Sequence, residues 1–291
     1  MRNKYTPYLL VAPLLVFLTL TFAYALIYGV VQSMQAGSGA YRGGFTLQHY
    51  RSVLGDGEFL ISLGATISVA VIATLISNVL GALLAFAMLR AGAHGKLLQR
   101  VLQLPVILPH LIVVIMVIHI FSQTGVLARL AWWVGFIDNP NQFPLLVYDR
   151  LAIGIMLVYL YKQVPFVALL AYDTLRGISG KYAEAAANLG ASPWQTSTQV
   201  YLPLLKPTII GTSLITFAFA FGAFEVPFLL GTPVWRTLPV ESYLLYTNID
   251  PLARTHAMVI NVLISAISLT IAGLYFGVES FLNRRQKGGE V

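Results

Sequence analysis

Apolar residues along this chain gather into long runs, and the charged residues sit mostly in short segments between them. Crossing about 30 Å of hydrocarbon at 1.5 Å per residue takes roughly 20 apolar residues. Six runs meet that length, at about residues 8–31, 60–89, 101–121, 151–171, 208–231 and 256–280. Lipid offers no partner to backbone N–H and C=O groups, so each run is predicted to be a helix rather than a strand. The second is long enough to tilt or to extend beyond the bilayer. The predicted fold class is therefore an all-α integral membrane protein of six transmembrane helices. No internal repeat or low-complexity tract divides it, so one membrane domain over residues 1–291 is the simplest parse.

Composition agrees, since 57% of the 291 residues are hydrophobic and 10% charged, against roughly 25% charged in a soluble domain. The formal charge of +7, from 18 Lys and Arg against 11 Asp and Glu, raises nucleic acid as a partner. The basic residues are dispersed over short loops, which favours membrane lipid and argues against nucleic acid. With no cysteine in the chain, disulfides, thiolate metal sites and a cysteine nucleophile are excluded, and no metal site is expected. Arg2 and Lys4 precede an apolar run that contains Ala23-Tyr24-Ala25, a small-x-small pattern of the signal-cleavage type. The uncharged stretch from Thr6 to Gln35 far exceeds the roughly 7–15 residue core of a signal peptide, so an uncleaved anchor helix is expected.

Lys and Arg also set orientation. Arg2, Lys4, Arg90, Lys96, Arg100, Arg176, Lys181, Lys206, Arg284, Arg285 and Lys287 fall on one side. On the other, Arg42, Arg51, Arg129, Arg150, Arg236 and Arg254 are matched by Asp56, Glu58, Asp138, Asp149, Glu241 and Asp250. Both termini and the loops carrying Arg90 and Arg176 are thus expected in the cytoplasm. On the outer side, residues 122–150 hold Trp132, Trp133 and Phe136 ahead of the turn signal Asp138-Asn139-Pro140. Tryptophans at a span boundary read first as headgroup anchors, and a docking surface for an extracytoplasmic partner is the competing reading.

Between the fourth and fifth spans lies a cytoplasmic loop of about residues 172–207, far longer than the median connector of roughly 4–6 residues. Its first part, Ser179 to Asn188, is alanine-rich and runs through Leu189 to Gly190, a helix with a glycine stop. Ser192, Pro193 and Gln195 then have the spacing of a capping box with proline at the first helical position, and a second short helix runs to Leu202-Pro203. Two short helices at an angle are predicted to protrude and bind a partner. Small alanines let that partner approach the backbone, and Glu184 supplies one orienting charge.

In that loop, Glu184-Ala185-Ala186, three residues, Gly190, nine residues, Val200, one residue and Leu202-Pro203 resembles the EAA loop of binding-protein-dependent ABC import permeases of type I. Val200 is the one departure, where isoleucine is commoner, and the position between the antepenultimate and penultimate spans also fits. The resemblance assigns Tyr182, Glu184, Ala185, Ala186, Gly190, Val200, Leu202 and Pro203 to ATPase docking on short coupling helices. Leu104-Pro105, Pro109, Pro165-Phe166, Phe224-Glu225-Val226-Pro227 and Leu229-Leu230-Gly231 resemble the branch that serves polyamines, ferric iron, thiamine and related small solutes. The resemblance implies a permease of the bacterial inner membrane working by alternating access. Its implied partners are two ATPase subunits, a second permease subunit and an extracytoplasmic solute-binding protein.

A phosphate-binding loop of the form G-x-x-x-x-G-K-[ST] is absent, because Gly180-Lys181 is followed by Tyr182 and Gly95-Lys96 by Leu97. The chain is thus expected to be non-catalytic, to bind no cofactor itself, and to draw on ATP through separate subunits. Lys162 and Glu225 fall near mid-span, where an ionised group costs roughly 2.5–3.5 kcal/mol, so they are candidates for the translocation path. A mutual ion pair that fixes helix packing is the structural alternative. Asn78 and Asn261 are further path candidates, although interhelical hydrogen bonding is the favoured reading for both. His110 and His119 read as satisfied core histidines, and Pro105, Pro109 and Pro165 as kink sites. Two rival classes remain: an intramembrane serine protease built on Ser179 and His256, which charge counting puts on opposite faces, and a channel or secondary transporter.

Overall fold

The computed structural model describes residues 6–36 and 43–287. Arg2, Lys4 and Arg42, counted above in the charge asymmetry, lie outside the described residues. Among those described, the regular structure is helical: α1 (Thr6–Met34), α2 (Gln48–Leu54), α3 (Gly57–Arg90), α4 (Ala93–Ile107), α5 (His110–Phe121), α6 (Val126–Trp133), α7 (Ile153–Asn188), α8 (Pro193–Gln195), α9 (Leu202–Gly222), α10 (Glu225–Leu230), α11 (Leu238–Tyr246) and α12 (Pro251–Lys287). Six stretches are long and apolar enough to cross a membrane: Leu10–Met34, Gly57–Arg90, His110–Trp133, Ile153–Gly180, Pro193–Gly222 and Pro251–Gly277. The all-α, six-span class is borne out.

Three boundaries differ from the sequence expectation. The third span does not start near residue 101, because residues 101–107 belong to α4, which ends at an extended Leu108–Pro109 pair before α5 begins. Proline pushes its predecessor out of the helical region, and Leu108 has ψ 133°. The fifth span does not run unbroken to 231. It stops at Gly222, turns through Ala223 with ψ 132°, and resumes as α10. The coupling helices between spans four and five are not separate, since the alanine-rich segment is the end of the 36-residue α7. At 1.5 Å per residue α7 is about 54 Å long and outruns a hydrocarbon core of about 30 Å.

The chain divides into two compact units, Met1–Leu60 with Leu238–Leu269, and Ile61–Thr237 with Thr270–Val291. In the first, Ser33 Oγ and Tyr50 OH lie 2.6 Å apart, and the His49 and His256 rings meet edge-on at 5.9 Å. The second is organised on α7, against which α4, α5, α9 and α10 pack. The backbone of α3 comes close to α7 at Gly81, where an added Cβ would stand 2.6 Å from Val167 Cβ. Toward the end of α3, Ala85 and Met88 join Ala171, Tyr172 and Leu175 of α7 and Tyr201 and Leu205 from the returning chain in one buried apolar cluster.

Candidate functional site

The turn between α7 and α9 is built by local chemistry. Alanines 185–187 carry α7 to its end, and Gly190 stops it with φ +77°. Ala191 N–H donates to Ala186 O at 3.0 Å and Gly190 N–H to Ala187 O at 2.9 Å, the paired bonds of a Schellman motif. Two residues on, Ser192 Oγ accepts from Gln195 N–H at 3.3 Å and Gln195 Oε1 accepts from Ser192 N–H at 2.8 Å, closing the capping box. Thr196, Ser197 and Thr198 hydroxyls each donate to the carbonyl four residues back. Such bonds compete with the helix ladder, and Thr196–Tyr201 widens into a π-helical turn. Pro203, which has no N–H, lies just beyond it.

The predicted docking residues divide between two faces of this turn. Tyr182, Glu184, Ala185, Gly190, Leu202 and Pro203 are exposed, whereas Ala186 is buried and Val200 packs on the apolar cluster beneath. Tyr201 OH donates to Ser179 O at 3.4 Å, fastening the return limb to α7. At the tip stand two residues that the loop pattern did not single out, Leu189 at 89% and Trp194 at 72% exposed. Large apolar side chains on either side of a helix-stop glycine, between the apolar runs at 151–171 and 208–231, were the available signal. Exposed apolar surface flanking one carboxylate is suited to a protein partner.

Inside the membrane-spanning part, polar side chains tie α3, α7 and α9 together. Thr212 Oγ1 donates to Asn78 Oδ1 at 2.7 Å, Asn78 Nδ2 donates to Thr74 O at 2.8 Å, and Ser77 Oγ donates to Gln163 Oε1 at 3.0 Å. Asn78 is buried in this network, as expected of an interhelical amide. Asn261 is exposed and accepts from Ser242 Oγ at 2.8 Å. His119 is not a core histidine: it is exposed, and its Nδ1 lies 2.9 Å from Ile115 O one turn back. Ser179 Oγ donates to Arg176 O at 3.4 Å.

No ion pair joins Lys162 to Glu225 among the described residues, and the lysine is engaged elsewhere. Lys162 is half-buried, and its Nζ donates to Val106 O at 3.0 Å and to Leu108 O. Glu225 is exposed at the start of α10. Near them His110 stacks on Phe219 with ring centroids 4.7 Å apart, and Tyr159 meets the same ring edge-on at 6.2 Å. The fully buried Tyr159 hydroxyl has no hydrogen-bond partner among the described residues, a cost of about 1–3 kcal/mol. The structure thus gathers Lys162, His110 and Tyr159 where α4 gives way to α5.

Comparison with known proteins places this geometry. The family described as binding-protein-dependent transport system inner membrane component matches residues 77–286. A sulfate transport system permease protein of Escherichia coli is 26% identical over 241 residues, covering 82% of this chain and 83% of that protein. The sulfate transport system permease protein of Salmonella typhimurium is 26% identical over 242 residues, with 82% and 83% covered. In fold, the chain is similar to a chain of a bacterial ABC transporter involved in the import of the acidic polysaccharide alginate. The TM-score is 0.78 at 19% identity, covering 98% of this chain and 96% of that one.

Proposed function

The chain belongs to the family of binding-protein-dependent transport system inner membrane components, the non-catalytic permease subunits of ABC importers, and on that premise we propose that ATPase subunits drive it through the turn at Glu184–Pro203. The observation that carries this reading is the turn itself. Reciprocal caps hold Leu189 and Trp194 outward beside Glu184, at the end of a helix that outruns the bilayer. Two ATPase subunits present two docking surfaces and this chain offers one turn, so a second permease subunit completes the assembly. A solute-binding protein delivers cargo at the outer face. ATP acts in the partner subunits, and Lys162 and Glu225 border the path that opens by alternating access.

For the cargo, the relatives' names favour a small oxyanion of the sulfate class over the polyamine-like solute implied by the branch resemblance. Radiolabelled sulfate and spermidine, offered separately to proteoliposomes containing the full complex, distinguish the two. For the drive, Glu184→Lys reverses the one orienting charge on the exposed face. It is expected to abolish co-purification of the ATPase subunits while membrane insertion stays at the parent level. Undiminished co-purification together with undiminished transport would overturn the docking assignment. Gradient-driven uptake by this chain alone would establish a secondary transporter instead.

A further inference from the structure

We propose that Lys162 is a positioning residue of the transport cycle, a side-chain substitute for missing backbone donors that ties the α4–α5 break to the helix ending in the docking turn. In an unbroken helix, Val106 O and Leu108 O would accept from the N–H groups of residues 110 and 112. Here Leu108 and Pro109 are extended, with ψ 133° and 144°. Ile112 N–H turns to Pro109 O instead. The Val106 and Leu108 carbonyls would then lack their helical donors. Lys162 Nζ donates to both. An ammonium also suits the negative end of the α4 dipole, which lessens the cost of placing a charge there.

What makes this more than local repair is the helix that carries the lysine. Lys162 and the docking turn share the continuous α7, Ile153–Asn188, and the 26 residues from Lys162 to Asn188 span about 39 Å. Pro165 lies between them inside the same helix, and it is buried, as are Val167, Ala168, Ala171, Tyr172 and Leu175 beyond it. Displacement of the turn along or about α7 is therefore felt at the two carbonyls that define the break. Because α5 also packs against α10, where Glu225 sits, the break stands between the driven end of the helix and the path. This coupling role rests on the docking reading above; the tie between Lys162 and the break does not.

The chain has no cysteine, so spin labels at Ile107→Cys and Tyr161→Cys, both exposed positions, report the distance across the tie in an otherwise native background. Measured in the complex with its ATPase subunits, the parent is expected to give one narrow distance distribution without nucleotide and a shifted one with ATP and vanadate. Lys162→Arg, which still donates to two carbonyls, keeps both. Lys162→Met loses the narrow distribution, and ATP hydrolysis no longer shifts it. Should Lys162→Met fail to accumulate, Pro109→Ala in the same chain restores a backbone N–H and permits a continuous helix that serves the carbonyls itself. That double variant is expected to accumulate, to give a narrow distribution, and to be insensitive to ATP. A Lys162→Met distribution as narrow as the parent's, shifting equally with ATP, overturns the proposal. A parent without an ATP shift, alongside a broadened Lys162→Met, upholds the tie and defeats the docking reading.

Discussion

Gly190 occupies a backbone region that a residue with a Cβ enters at a cost of about 1–3 kcal/mol, and nothing lies within 4 Å of where that Cβ would be. The penalty for replacing it is therefore torsional rather than steric. A variant relaxes by unwinding the Schellman bonds to Ala186 and Ala187, which moves Leu189 relative to Trp194. Docking must then restore the strained turn, so the strain appears as lost affinity at tenfold per 1.4 kcal/mol. Gly190→Val is expected to lower ATPase retention about tenfold or more, and Gly190→Asn less, because asparagine tolerates the left-handed region. Titration of ATPase subunits against membranes of each variant checks the order Gly, Asn, Val; equal retention by all three would sink it.

At the scale of elements, hydrophobic run length made the six spans legible, since lipid leaves the backbone no other choice. The caps at Gly190 and Ser192 were legible too, because each is fixed by residues within a few positions. The continuity of α7 was not. A loop was expected from residue 172 because the apolar run ends there, yet the end of apolarity marks the edge of the membrane and not of the helix. The α4–α5 and α9–α10 breaks were half legible: Pro109 signalled the first, while Ala223 carries no signal in its own identity. The service of Val106 and Leu108 carbonyls by Lys162 was illegible, depending on a contact between residues more than fifty positions apart. If continuity of α7 transmits the drive, an exposed break in it should uncouple. Proline at Gly177 would remove the bond to Asp173 O at a cost of about 3 kcal/mol, at an exposed site, whereas Pro165 is buried. Gly177→Pro is expected to retain ATPase subunits yet lose transport per ATP hydrolysed. Gly177→Ala, whose Cβ meets nothing within 4 Å, keeps the ratio, and an unchanged ratio in both would show that α7 need not be continuous.

The whole molecule adds a constraint that neither residues nor helices impose alone, namely that the docking turn and the outer loop must face opposite compartments. The unequal distribution of Lys and Arg predicts that the turn lies inside, where the ATPase docking proposed above also needs it. Both statements fail together if the orientation is reversed. A single cysteine at Ala187, a small exposed position on the turn, and another at Phe136, 83% exposed beyond α6, give one reporter on each side of a chain free of other thiols. A membrane-impermeant maleimide applied to intact spheroplasts is expected to label Phe136→Cys and to reach Ala187→Cys only after the membrane is opened. Added ATPase subunits should then shield Ala187→Cys and leave Phe136→Cys unchanged, since only the cytoplasmic position lies beneath the docked partner. Labelling in the reverse order would place the turn where no ATP is supplied, and the charge asymmetry would have to be read as lipid contact alone.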